Sequence, residues 1–321
     1  MAADNSQREM ADNPRINHNI DLTTALGALQ LNNPVLTASG TCGFGRELAE
    51  RYELSELGAL IVKGITVEPR SGNPSPRIAE TPAGMLNSIG LENPGLEGFI
   101  REELPWLAEV KPPVLANISG HSISDFSRLA EGLADREEIA GLEVNVSCPN
   151  IGAGGLAFGT DPEMVARVTA AVRDYYSGFI LIKLTPAAGD ILSVAQSARD
   201  AGADALTVCN TMPGMEIDVE TQAPVLGNTY GGLSGPALQP IALKLVYQLA
   251  QADILPILGG GGIMSGRDAI KFLLAGARAV SVGTATLLDP LAPVRIKRGI
   301  IDYLEEQNCS SLEGIIGQAL R

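Results

Sequence analysis

The sequence predicts an α/β fold of the (β/α)8 barrel type, also called a TIM barrel. Eight short apolar runs, bounded by Gly, Asn or Pro, recur along the 321 residues. Segments with helical spacing lie between most of these runs, and polar residues gather where the runs end. Eight strand–helix units can close into a parallel barrel, whose active site lies at the carboxyl ends of the strands. A doubly wound open sheet is the competing architecture, and the count of eight favours the barrel.

The eight runs are nearly continuous in apolar character, which is typical of strands buried on both faces of a sheet. Helices are predicted over 161–175, 190–201, 238–251 and 265–275, several of which open on Asp-Pro or Ser, residues that suit helix N-caps. Long connections after strands 2, 4 and 6 are expected to cover the catalytic face. Two of them, 67–94 and 212–237, are rich in Gly, Pro and Asn and show no strong periodicity. The predicted strands cover 34–39, 59–66, 114–119, 141–147, 179–185, 205–211, 254–260 and 279–284.

Composition and charge exclude several classes of function. The 37 acidic and 23 basic residues give a net charge of −14, and no Lys/Arg cluster is present to neutralise phosphodiesters, so nucleic acid is not a predicted partner. No stretch approaches the roughly 18 apolar residues that a membrane span needs. We therefore expect a cytoplasmic protein that does not bind membranes. Residues 1–20 are polar and predict a disordered tail, which leaves 21–321 as a single catalytic domain.

The cysteine and histidine content argues against a metal site. The four cysteines form no C-x-x-C pair and the chain has only two histidines, so zinc and iron–sulfur sites are not predicted. Any redox cofactor in this chain should be organic. The stretch GAGGLA at 152–157 matches a dinucleotide-binding pattern, but that pattern requires a strand that turns directly into a helix. Here the next helix is predicted to begin only near Asp161, so no nicotinamide site is expected.

Glycines end the last two predicted strands, at 259–262 and 283–284. Backbone N–H groups of such loops form the phosphate site that this fold often carries. A tight turn with positive φ would explain one or two of these glycines but less easily all of them. We therefore expect a phosphate group to bind here.

Two lysines, Lys63 and Lys183, interrupt apolar strands, where an unpaired ammonium would be costly. Each could pair with a carboxylate inside the barrel. Each could instead form a Schiff base, as in barrel aldolases, since a desolvated lysine can be nucleophilic. A third role is to place a cation beside a group that becomes anionic on reduction, such as a flavin.

Carboxamides and one thiol complete the predicted catalytic face. Asn87, Asn145, Asn150 and Asn210 each carry a donor beside an acceptor, which suits the edge of a pyrimidine-like ring, although any one of them also fits an ordinary loop position. Cys148 lies in a polar, glycine-rich loop, and the reference pKa of a cysteine thiol lies closer to neutrality than that of serine or lysine, so Cys148 can accept a proton from carbon. The remaining cysteines are interpreted as small buried hydrophobic residues: Cys42, Cys209 and Cys309.

Six ordered motifs resemble class I dihydroorotate dehydrogenase, most closely the catalytic subunit of its NAD-linked class IB. They are TASGTCGFG, MLNSIGLENPG, NVSCPNIGAGGLAFGTDPE, NTMPGMEID, GGLSGPAL and GGGGI…VGTA, and the resemblance covers residues from about 20 to 290. It implies an FMN-bearing (β/α)8 barrel that oxidises dihydroorotate to orotate in pyrimidine biosynthesis. It also implies that Cys148 removes the C5 proton while the C6 hydride goes to the flavin, with Lys63 beside both substrate and flavin.

The resemblance implies two sets of binding residues in addition to Cys148. The substrate positions are Lys63, Asn87, Ser88, Ile89, Gly90, Leu91, Asn145, Asn150, Asn210 and Thr211. The FMN positions are Ser39, Lys63, Gly64, Asn117, Asn145, Lys183, Cys209 through its backbone, Gly235, Gly261, Gly262, Gly283 and Thr284.

The resemblance further implies a partner. Class IB catalytic subunits work with an electron-transfer subunit that carries FAD and a [2Fe–2S] cluster and passes electrons to NAD, in a heterotetramer built around a catalytic homodimer. Dihydropyrimidine dehydrogenases share the barrel, FMN and a loop cysteine, so they are the alternative among flavoenzymes. From another class, a Schiff-base aldolase using Lys63 or Lys183 and a non-catalytic flavin- or phosphate-binding barrel stay open.

Overall fold

The computed structural model describes residues 20–147 and 158–321. Within these residues, eight parallel strands form a sheet in which each strand neighbours the next along the chain and the eighth lies beside the first. The ring closes between the first and second strands, where Leu36 bridges Ala59 and the Gly58 N–H donates to the Val35 carbonyl at 2.8 Å. The predicted (β/α)8 barrel is thus confirmed, with strands Val35–Thr37, Leu60–Ile61, Val114–Ile118, Gly141–Asn145, Phe179–Leu184, Ala205–Val208, Ile257–Gly260 and Ala279–Val282.

Helices follow the barrel strands and include all four that the sequence predicts. Asp161 and Ser265 cap two of them, accepting hydrogen bonds from the backbone N–H groups of Glu163 at 3.0 Å and Asp268 at 3.2 Å. In the described parts of the chain, no helix has the length and apolar character needed to cross a membrane. The α-helices are Arg46–Ala49, Gly95–Gly98, Leu104–Leu107, Ile123–Leu133, Pro162–Arg173, Ile191–Asp200, Gln239–Gln251, Gly266–Leu274, Thr284–Leu288 and Ala292–Glu306, and a π-helical turn spans Phe99–Glu103.

The strands separate two hydrophobic layers. On the fifth strand, Ile180 and Ile182 belong to the large cluster between the sheet and the helices, whereas Leu181 belongs to a smaller cluster inside the barrel. This division follows from the two-residue period of a strand, which sends successive side chains to opposite faces. Lys183 occupies the next inward position after Leu181, so its ammonium enters the barrel interior near the carboxyl end of the strand.

A hairpin that the sequence analysis did not predict packs against the amino end of the barrel. Its strands are Thr24–Leu26 and Leu29–Leu31, paired antiparallel around Gly27, whose φ of +62° is favourable for glycine. Its leucines join the same buried cluster as the barrel-interior Leu181. The hairpin leucines and inward strand residues such as Leu115 and Leu181 therefore form an apolar plug at this end of the barrel. An apolar alternation on both sides of Gly27 was the available signal.

The connections 67–94 and 212–237 are long, as the sequence predicts, but they contain regular structure that the sequence analysis did not predict. Both segments contribute strands to one four-stranded antiparallel sheet, in the order Met212–Gly214, Gly231–Ser234, Gly84–Asn87 and Ile78–Thr81. A further short pair joins Ile217–Asp218 to Ala223–Pro224. These strands are rich in glycine, so their side-chain alternation is weak, and their pairing joins residues as distant in sequence as Asn87 and Gly232. Local sequence patterns cannot predict pairing between residues so far apart in the sequence.

Candidate active site

A cavity of about 560 Å³ opens at the carboxyl ends of the barrel strands, bordered by the antiparallel sheet. This volume lies within the range of about 300–1,000 Å³ that is typical of small-molecule and cofactor sites. Two predicted site residues, Cys148 and Asn150, lie outside the described residues. Every other predicted substrate or FMN residue lines the cavity: Ser39, Lys63, Gly64, Asn87, Ser88, Ile89, Gly90, Leu91, Asn117, Asn145, Lys183, Cys209, Asn210, Thr211, Gly235, Gly261, Gly262, Gly283 and Thr284.

Lys183 is fixed on one side of the cavity by two neighbours. Its ammonium donates to Ser39 Oγ at 2.8 Å and lies 3.6 Å from Glu143 Oε2. The side chain of Glu143 is fully buried and that of Lys183 is nearly so. Pairing with a barrel carboxylate, one of the alternatives that the sequence left open, is therefore present, and it coexists with a position on the cavity wall.

Lys63 presents the second cation of the site. It follows the second barrel strand, and its backbone N–H donates to the Gly43 carbonyl at 2.8 Å, which holds the chain in place. Within residues 20–147 and 158–321, no hydrogen bond or ion pair involves its ammonium. A half-buried cation of this kind, facing a cavity, favours an anionic ligand over a structural role.

Two of the described asparagines are hydrogen-bonded to each other on the cavity wall. Asn210 Nδ2 donates to Asn145 Oδ1 at 3.1 Å, and Asn145 Nδ2 donates to Ser119 Oγ at 3.1 Å. Asn87 lies across the cavity on the antiparallel sheet, with its Nδ2 3.4 Å from the Gly232 carbonyl. Asn145 and Asn210 are therefore oriented by each other before any ligand binds, which favours recognition of a ring with several polar atoms.

The glycine-rich loops after the seventh and eighth strands form another part of the wall. Gly261 and Gly262 have φ angles of +126° and +75°, and a Cβ added at Gly262 would lie 2.7 Å from the Gly235 carbonyl oxygen. These two positions require glycine for conformation and for space. Thr284 ends the second loop and donates to Ser234 Oγ at 2.8 Å. The tight-turn explanation thus holds for two glycines, and it is compatible with a loop backbone that lines the cavity.

Burial distinguishes the described cysteines. Cys42 and Cys209 are buried, and desolvation raises the pKa of each thiol to about 12, so both are protonated at neutral pH. They match the interpretation as small hydrophobic residues, although Cys209 also lines the cavity. Cys309 is only partly buried, and it packs against the core beyond the last long helix.

Sequence reasoning missed a buried polar group behind the cavity wall. Glu143 points inward from the fourth strand and accepts hydrogen bonds from Asn117 Nδ2 at 2.6 Å and Thr207 Oγ1 at 2.8 Å. Ser119, which orients Asn145, was also missed. The available signal was the presence of a carboxylate inside the apolar run GLEVNVS, since a charge is rarely buried without a partner.

Comparison with known proteins assigns the chain to a family. The family model described as dihydroorotate dehydrogenase matches residues 21–304. Three similar curated proteins bear the name dihydroorotate dehydrogenase B (NAD(+)), catalytic subunit. The protein from Desulforudis audaxviator is 50% identical over 94% of this chain and 98% of its own length. Those from Geotalea daltonii and Bacillus pumilus are 49% and 47% identical, over 92% and 93% of this chain and 97% and 96% of theirs. The chain belongs to the dihydroorotate dehydrogenase family.

Proposed function

We propose that this protein binds FMN and oxidises (S)-dihydroorotate to orotate in de novo pyrimidine biosynthesis. The observation that carries the proposal is the gathering of two lysines and four carboxamides around one cavity at the carboxyl end of the barrel. The names of relatives that match almost the whole chain point to the same reaction.

The cavity offers groups that fit FMN. The loops at Gly261–Gly262 and Gly283–Thr284 would hold its phosphate through backbone N–H groups, at the place where this fold often binds phosphate. Ser39, Asn117 and Lys183 would contact the polar edge of the flavin ring, with Gly64, Asn145, Cys209 and Gly235 completing the predicted contacts. When bound, FMN supplies the acceptor for the hydride that leaves C6 of dihydroorotate.

The substrate would lie between the asparagines and Lys63. The donors and acceptors that a pyrimidine ring requires would come from Asn87, Asn145, Asn210 and Thr211. Asn150, which the sequence predicts as a further substrate residue, would add another carboxamide. The segment 88–91 passes through two positive-φ residues, Gly90 at +78° and Leu91 at +54°. Its backbone and the Lys63 ammonium would bind the substrate carboxylate, because both lie on the cavity wall.

Cys148 would act as the base. It directly follows Ser147, which lines the cavity two residues beyond the fourth strand and has a buried hydroxyl without a hydrogen-bond partner among the described residues. As a thiolate, Cys148 would remove the proton from C5 while the C6 hydride departs, so that the ring gains its double bond. Lys63 would stabilise negative charge on the substrate during this step.

The electrons would leave through a partner subunit. The relatives are named as NAD-linked catalytic subunits, which supports a second protein that carries FAD and a [2Fe–2S] cluster and reduces NAD. We propose a heterotetramer of two catalytic and two electron-transfer chains, built around a catalytic homodimer. The isolated chain should then reduce dyes with dihydroorotate but form almost no NADH until the partner is added. Robust NAD reduction by the single chain would refute the partner requirement, and rapid turnover with fumarate alone would indicate class IA.

The test of the proposed activity is orotate formation by the FMN-loaded chain with a dye as electron acceptor. We expect FMN to bind with a stoichiometry of one per chain and orotate to accumulate with dihydroorotate, but not with dihydrouracil, which lacks the carboxylate. Preference for dihydrouracil would favour the dihydropyrimidine dehydrogenase alternative. A chain that binds no FMN and is trapped by borohydride with a carbonyl substrate would favour the aldolase alternative.

A further inference from the structure

Glu143 forms a buried polar junction behind the cavity. It lies in the fourth strand with no exposed surface, and it does not line the cavity itself. Its carboxylate contacts side chains from the third, fifth and sixth strands: Asn117 at 2.6 Å, Lys183 at 3.6 Å and Thr207 at 2.8 Å. Two of these three neighbours, Asn117 and Lys183, line the cavity.

Stability alone is a weak reason to keep this junction. Taking a carboxylate and an ammonium out of water carries a desolvation penalty that their attraction often fails to exceed, and buried ion pairs can frequently be replaced by apolar residues without loss of stability. The other inward positions of the same strands, such as Leu115 and Leu181, are apolar and fully buried. The placement of a charged group at this level of the barrel therefore points to the adjoining cavity.

The carboxylate determines which way the Asn117 amide faces. Ionised Glu143 can only accept hydrogen bonds, so Asn117 must turn its Nδ2 group toward it. Asn117 Oδ1 is thereby directed elsewhere, and it would lie 2.9 Å from a Cβ added at Gly64, a residue of the cavity wall. Asn117 consequently offers an acceptor at the wall beside Gly64.

The same carboxylate places a negative charge behind the Lys183 ammonium. Lys183 has three N–H donors, of which one is directed to Ser39 Oγ at 2.8 Å and another faces Glu143 Oε2 at 3.6 Å. The Lys183 ammonium on the cavity wall is therefore held by Ser39 and Glu143, and the negative charge of Glu143 partly neutralises it. The strength of its field in the cavity depends on Glu143, because opposite charges this close largely cancel at a distance.

We propose that Glu143 is a positioning residue that sets both the acceptor face of Asn117 and the electrostatic field of Lys183 toward the bound flavin. This inference rests on the proposed function, since it assumes that FMN occupies the cavity. It assigns to Glu143 two measurable effects, one on FMN affinity through Asn117 and one on the flavin reduction potential through charge. A purely structural role would change neither in the folded protein.

The decisive variant is Glu143→Gln, examined after reconstitution with FMN. A carboxamide has one acceptor oxygen where the carboxylate has two, so Asn117 and Thr207 would compete for it. We therefore expect Asn117 to lose its fixed orientation and FMN to bind about tenfold more weakly, the loss expected for one hydrogen bond. Because a negative charge is removed, the reduction potential at saturating FMN should become more positive. Thr207→Val is the matched control: it removes one hydrogen bond to Glu143 without changing charge, so the potential should equal that of the wild type.

If folded Glu143→Gln has the same flavin reduction potential and the same FMN affinity as the wild type, this inference is overturned, while the proposed function still stands. Failure of the wild type to bind FMN would instead overturn the proposed function. If Glu143→Gln does not fold, the pair Glu143→Gln/Lys183→Met removes both charges and is compared with Lys183→Met. The double variant should still bind FMN about tenfold more weakly than the single one, because Asn117 has lost its anchor. Equal affinities would overturn the inference.

Discussion

The two ends of the barrel interior differ in chemistry although the same strands form both. At the amino end, inward residues such as Leu115 and Leu181 pack with the leucines of the amino-terminal hairpin. One inward position further along the same strands, Asn117 and Lys183 face the cavity. A step of two residues thus separates an apolar plug from the candidate active site. Residues for stability and residues for ligand binding therefore follow each other along each strand instead of lying in separate domains.

The largest effect should come from removing a side chain of the apolar plug. Leu181→Ala should lower the free energy of unfolding by about 2–5 kcal/mol, because Leu181 is fully buried and a cavity would remain. Denaturant titration measures this change. The folded fraction should bind FMN with wild-type affinity, and Leu181→Met, which nearly conserves volume, should cost less than about 1.5 kcal/mol. A large loss of FMN affinity in folded Leu181→Ala would break the division between the two ends.

The next effect concerns the proposed base. Cys148→Ser should slow flavin reduction by dihydroorotate by about 10²-fold or more near neutral pH, because a thiol can form a thiolate there whereas a serine hydroxyl forms almost no alkoxide. Stopped-flow absorbance measures the rate, and the wild-type rate should rise with pH as the thiolate forms. FMN content, orotate binding and unfolding free energy should stay near wild type. A Ser variant that is reduced as fast as the wild type would show that Cys148 is a packing residue.

Lys183→Met tests the effect of the cation on the cavity wall. Removing a cation beside a group that becomes anionic should make the flavin reduction potential more negative, opposite in sign to Glu143→Gln. FMN affinity should also fall, by about tenfold, as for the loss of one charged hydrogen-bond donor. Potentiometric titration with a reference dye and a binding titration test both. An unchanged potential would leave Lys183 with only its ion pair to Glu143.

The smallest effects concern the other thiols. A raised pKa keeps a thiol neutral at lower pH, and the thiolate is the form that reacts, so Cys42 and Cys209 should resist iodoacetamide until the pH approaches about 12. Mass spectrometry after labelling near neutral pH should find modification at Cys148 and at Cys309, which is only partly buried. In Cys309→Ser, bound orotate should protect the remaining site. Labelling of Cys209 in the folded protein near neutral pH would contradict its burial.

Much of this architecture could be predicted from local patterns. The continuous apolar runs predict the eight strands, and glycines at the ends of the last two predict a loop that lines a site, because both signals lie within a few residues. The position of Lys183 after an inward Leu181 follows from the strand period. These features can be predicted because the residues that cause them are close together in the sequence.

Other features depend on contacts between distant residues. The antiparallel sheet pairs Asn87 with Gly232, and neither segment alone has a clear strand pattern. The apolar run that contains Glu143 signals a buried carboxylate, but it does not identify the partners, which lie on three other strands. The roles of Cys148 and Asn150 stay predictions.

The central claim, that the polar end of the barrel is a flavin site for dihydroorotate, is tested most directly by an anaerobic titration of the FMN-loaded chain. The visible absorbance of the flavin should bleach in proportion to added dihydroorotate, with one orotate formed for each FMN reduced. No other electron acceptor is needed for this single turnover. A flavin that stays oxidised in excess dihydroorotate, in a chain that holds FMN in full stoichiometry, would contradict the account.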